Sequence, residues 1–73
     1  MGRVVVLGEA ARVEGFALGG ATVIAADDRD GVLRAWASLG DGVAVVVLTA
    51  KASTSLDGVP APHNEILTVV MPP

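Results

Sequence analysis

Apolar residues in this chain fall in blocks separated by glycine, proline and charge, and the spacing changes from block to block. Arg3-Val4-Val5-Val6-Leu7 is β-branched and aliphatic without alternation, the pattern of a strand covered on both faces in a parallel sheet. Gly8-Glu9 breaks it. From Ala10 to Leu18 the spacing becomes helical, with Ala10, Val13, Phe16 and Ala17 on one stripe and Arg12 and Glu14 off it. Gly19-Gly20 supplies a left-handed C-terminal residue for that helix. Thr22 to Ala26 reads as a second buried strand. Asp28 then stands where an N-cap belongs, and Asp30 follows in the first turn, where the helix dipole favours a negative charge. Val32, Leu33, Trp36 and Leu39 form the apolar face of this second helix, which Gly40-Asp41-Gly42 stops. Val43 to Leu48 is a third strand, placed centrally.

The pattern weakens from Thr49 to Asn64, where Ser53-Thr54-Ser55, Asp57-Gly58, Pro60 and Pro62 leave room for a single helical turn around Ser53 to Leu56. Ile66 to Met71 is a fourth strand, ended by Pro72-Pro73. Parallel strands need crossovers, and right-handed crossovers place helices on both faces of an open sheet. The expectation is one α/β domain over residues 1–73. Its four-stranded parallel sheet has the order 2-1-3-4, a flavodoxin-like or receiver-like three-layer arrangement.

Composition narrows what such a domain can do. Its 73 residues bury only about 60% of the unfolded surface, so a dense aliphatic core or a partner must supply stability. There is no cysteine, which excludes a disulfide or a Cys-based zinc site, and a single histidine, His63. The longest apolar run, Val43 to Leu48, is far short of the roughly 20 residues that span a bilayer. The opening Met1-Gly2-Arg3-Val4 lacks the form of a signal peptide, so the expected location is the cytoplasm. The net charge is −3, and Arg3, Arg12, Arg29, Arg34 and Lys51 are scattered, which argues against nucleic-acid binding.

Ligands of a doubly wound sheet gather at the carboxyl ends of its strands, here Gly8-Glu9, Asp27-Asp28 and Thr49-Ala50. A dinucleotide site needs G-x-G-x-x-G there, but Gly8 is followed by Glu9-Ala10-Ala11. A P-loop needs its lysine in the glycine loop, but Lys51 lies beyond the third strand. Phosphotransfer needs an aspartate where Thr49 stands. Ser53, Thr54, Ser55, Asp57 and His63 include the residue types of a hydrolytic triad, yet nothing in that polar stretch fixes their geometry, so they read as solvated loop. His63 with Glu65 makes no more than half a metal site. No catalytic, cofactor-binding or metal-binding residue is assigned. Trp36 reads as core, with an interface anchor as the competing reading.

One segment carries a family likeness. Val4-Val5-Val6-Leu7-Gly8-Glu9, followed by Val13, Gly15, Phe16, Leu18 and Gly20 (or Gly19), resembles the start of the F-subunit family of V-type and archaeal-type ATPases. Leu48-Thr49 is similar to the end of that family's third strand, and Val69-Val70-Met71-Pro72 to the end of its fourth. The likeness covers the chain in outline, and only the glycine-phenylalanine segment is distinctive. Gly15 beside Phe16 then suggests close packing. Three departures stand out: Ala50 replaces an acidic residue, Ser53 to Pro62 replaces a long charged helix, and residues 1–73 stop short of the family's C-terminal helical arm.

The resemblance implies a non-catalytic central-stalk subunit of the rotor, coupling ATP turnover to proton or sodium transport. Its partners would be the shaft subunit and the catalytic head, with no cofactor and no membrane insertion of its own. Leu56 and Val59 are the default candidates for contact with the shaft. The alternatives are a small-ligand-binding flavodoxin-like domain using Gly8, Glu9 and Thr49, marked by a pocket of about 300 Å³ at that edge, and a receiver-like interaction domain.

Overall fold

The aliphatic run at the start of the chain pairs on both sides. A computed structural model describes residues 2–40, 42–62 and 66–72, with the side chains of 17 and 18 excepted. Strand β1 (Arg3–Gly8) lies between β2 (Thr22–Ala25) and β3 (Val43–Leu48), and β4 (Leu67–Val70) pairs with the far side of β3. All pairs are parallel and the order is β2-β1-β3-β4, as the block pattern predicts. The connections hold α1 (Ala10–Val13) with a 3₁₀ segment (Glu14–Gly19), then α2 (Arg29–Ala37) and α3 (Ala50–Ser55).

Side chains alternate across a strand, so each residue of β1 belongs to one face. Val5 and Leu7 join Val46 and Leu48 of β3 beneath α2 and α3, in a cluster that includes Val32, Trp36 and Leu56. Val6 points the other way and is buried with Val13, where α1 packs on β1 and β2. Asp28 caps α2 as expected: its carboxylate accepts the Gly31 N–H at 2.7 Å. Gly20 adopts φ +85° after the 3₁₀ segment, the left-handed turn expected of the glycine pair.

Several expectations need correction. The first helix does not run from Ala10 to Leu18 as one element; after Val13 it tightens into the 3₁₀ segment, and Phe16 is 44% exposed instead of joining a stripe. Gly15 explains this: glycine costs about 1 kcal/mol in a helix, and no packing returns it, because nothing lies within 4 Å of where its Cβ would be. The close packing inferred at Gly15 is therefore absent. The crossover helix starts earlier and is longer than the turn expected at Ser53, because Thr49 caps it. Strand β2 is an edge, with Val23 and Ile24 half-buried and Thr22 and Ala25 exposed, where a buried strand was expected. Leu56 is buried in the core, so it presents no surface to a shaft, and Val59 is half-buried against the same cluster. Asp41, His63, Asn64, Glu65 and Pro73 lie outside the described residues.

Candidate functional site

The order β2-β1-β3-β4 reverses between β1 and β3, and sheets of this kind usually take ligands at that switch point, outside the carboxyl ends of the strands. Gly8, Glu9 and Thr49 are brought together there. The Thr49 hydroxyl donates a short hydrogen bond to a Glu9 carboxylate oxygen and accepts the Ala52 N–H at 3.2 Å. Thr49 is thus the N-cap of α3 and a tie between two strand ends, and it is fully buried. Gly8 is required by this arrangement. A Cβ built on it would collide with the Thr49 side chain, coming within 2.8 Å of its Cβ.

The flanking charges, though exposed, are tied to backbone groups of the same edge. Asp27 accepts the Ala10 N–H at 3.1 Å, and its carbonyl oxygen accepts from the Lys51 ammonium at 3.1 Å. The hydroxyl of Thr54 donates to Ala50 O at 3.1 Å and that of Ser55 to Lys51 O at 3.3 Å, the back-bonding of helical Ser and Thr, not the geometry of a nucleophile. Of the chemistry-bearing residues of this edge, Thr49 and Glu9 hold each other and the rest bond to backbone groups.

Glu9 registers that arrangement in its acidity. The Thr49 hydrogen bond, then its own backbone N–H, lower its pKa below the ordinary 4.5, with smaller help from Lys51 and Arg12 against desolvation. A carboxyl depressed on folding stabilises the native state above its ordinary pKa and loses that contribution as pH falls through the lower folded value. Wild type is accordingly expected to lose more stability between about pH 6 and about pH 3 than Glu9→Gln does, read as urea midpoints across that range. Equal slopes for the two proteins would mean that the Thr49–Glu9 tie contributes nothing.

Neither of two surface concavities is lined by Gly8, Glu9 or Thr49. One, of about 440 Å³, lies at the opposite ends of β1 and β2, against Arg3, Val4, Gly20 and Thr22. The other, of about 240 Å³, runs beside β4 and is bounded by Trp36, Leu56, Asp57, Val59, Thr68 and Val70.

That second groove adjoins the least covered part of the molecule. Leu67, Val69 and Val70 are 62%, 45% and 50% exposed, so every aliphatic residue of β4 faces solvent. Leu67 and Val69 stand in register with the half-buried Val45 and Val47 of β3, on the face where α1 packs on β1 and β2. Val4 continues the strip at 42% exposure. Burying such a side chain fully is worth about 1.5–3 kcal/mol, of which each β4 aliphatic forgoes roughly half. Sequence reasoning missed this surface because an aliphatic run reads as a buried strand. The order 2-1-3-4 did hold the signal, since the last strand in it has one neighbour.

The architecture is that of a small flavodoxin-like α/β domain. No protein-family model matches this chain, and no curated protein matches it. No helix among the described residues is long and apolar enough to cross a membrane.

Proposed function

We propose that this domain is a non-catalytic protein-binding module that works in the central stalk of a V-type or archaeal-type rotary ATPase, peripheral to the membrane through that complex. The observation that carries protein binding is the exposed aliphatic edge of β4, joined to the open strip of Val4, Leu67 and Val69. Contiguous exposed aliphatic surface on a small domain marks an interaction site. The Thr49–Glu9 hydrogen bond at the switch point supports the same reading, since a ligand there would have to displace it. The particular partner rests on the likeness of Val4–Glu9 and Val13–Gly20 to the F-subunit family. In this reading the contact surface moves from Leu56 and Val59 to β4.

Affinity capture of the tagged chain from its native cells tests it. Wild type is expected to retain the ATPase shaft and catalytic subunits, and Val69→Lys to retain about tenfold less with an unchanged circular dichroism spectrum. A folded wild-type chain that recovers no ATPase component would remove the rotor reading.

A further inference from the structure

The open side of β4 has a definite backbone pattern. Met71 donates its N–H to Leu48 O at 2.8 Å, so the backbone groups of Met71 point toward β3. These groups alternate sides along a strand, so Leu67 and Val69 also face β3, and the N–H and C=O of Thr68 and Val70 face the free edge. Edge strands are ordinarily blunted by lysine, proline, a bulge or an inward charge. Within Leu67–Val70 none of these occurs, and all four residues are exposed. The side chains of Thr68 and Val70 also border the groove formed with Trp36, Leu56, Asp57 and Val59. The two residues that offer free backbone groups thus flank a recess that a neighbouring strand could fill.

We propose that the protein binds its partner by strand addition: an extended partner segment pairs with the edge of β4 and places a basic side chain in the groove beside Asp57. This rests on the protein-binding reading and specifies its mode. A residue paired opposite Thr68 or Val70 projects from the same face, over the groove. Asp57 is the charged group lining that groove and is exposed, so a lysine or arginine stem lies along Val59 and Leu56 while its head meets the carboxylate. The alternate partner residues fall beside Leu67 and Val69 and must be aliphatic. One feature decides against a second copy of this chain as the occupant: the β4 segment carries no basic residue to set against Asp57.

The probe is a capped peptide of about eight residues that alternates valine and threonine and carries one central lysine on the threonine side. It is titrated into the ¹⁵N-labelled full chain. Resonances of residues 67–71, Asp57 and Val59 are expected to shift, and amide exchange at Thr68 and Val70 to slow about tenfold or more at saturation. N-methylating the peptide amides that face β4 removes those hydrogen bonds without touching the protein, and is expected to weaken binding about tenfold. Exchanging the peptide lysine for glutamate weakens it further. Val70→Pro deletes only an outward N–H, a change that edge strands tolerate, and is expected to abolish the exchange protection. Unchanged exchange at Thr68 and Val70 would overturn strand addition, as would protection of both amides in the peptide-free chain by self-association. If exchange is unchanged while wild type, but not Val69→Lys, still retains the stalk subunits, strand addition fails and the protein-binding reading stands. If the stalk subunits are lost as well, both fail.

Discussion

Replacing Trp36 by alanine is expected to cost the domain about 3–5 kcal/mol and to move its urea midpoint far below that of wild type. Trp36 is 5% exposed and lies in the cluster formed by α2, α3 and the Val5, Leu7, Val46 and Leu48 face of the sheet. Its indole N–H donates to Pro60 O at 3.0 Å, which ties the irregular connection before β4 to α2. Truncating a buried tryptophan to alanine costs about 3–5 kcal/mol through lost burial and the cavity left behind. At about 0.05–0.15 kcal/mol per residue, a 73-residue domain has roughly 4–11 kcal/mol in total. The substitution therefore removes much of the stability. Trp36→Phe keeps most of the packing and loses the indole hydrogen bond, so it should cost about 1–2 kcal/mol and remain folded. Urea denaturation followed by far-ultraviolet circular dichroism separates the three proteins. An alanine variant with the wild-type midpoint would show that Trp36 is not part of the core.

Gly8→Ala is the second large effect, and it tests the closed switch point. The added methyl would come within 2.8 Å of the Thr49 Cβ and closer still to the rest of that side chain, so something must move. Thr49 cannot turn aside without losing its bonds to Glu9 and to the Ala52 N–H. Overpacking of a well-filled site costs about 1–3 kcal/mol, and the upper half of that range is expected here. Thr49→Ala alone loses an N-cap and should cost about 1 kcal/mol. Combining the two removes the closest contacts, those with the Thr49 Oγ1 and Cγ2, and leaves the 2.8 Å approach to its Cβ, so the double variant is expected to lose about 1 kcal/mol less than the sum of the single losses. Strict additivity would mean that Gly8 and Thr49 do not share the site.

The layout of the domain was legible because its signals are local and agree. Uninterrupted aliphatic runs marked β1 and β3, Asp28 marked the start of α2, and Gly20 marked a left-handed turn. Crossover handedness then left few topologies for four strands in that order. Trp36 was readable as core because Val32 and Leu39 share its helical face. Where local signals conflicted, the reading failed. Phe16 completed a helical stripe on paper, but Gly15 made that helix too weak to continue without packing. Thr49 is of a residue type that caps helices, but the polar stretch after it masked the helix, and its bond to Glu9 joins residues far apart in sequence.

Taken alone, the amino-acid order determined the four strands, the start of α2, and that one layered α/β sheet uses all the strands. Those properties depend on side-chain shape, backbone propensity and capping within a few residues, so neighbours suffice to specify them. Only the tertiary structure decided which aliphatic residues remain outside. Val46 and Val69 are the same residue type in strands of similar composition. Val46 is sealed because β3 has a strand on each side and helices over that face, whereas Val69 is exposed because, among the described residues, β4 has a single neighbour. Burial is a property of what lies across the sheet, and contacts formed 40 residues apart, such as Thr49 on Glu9, exist only once the chain has closed on itself.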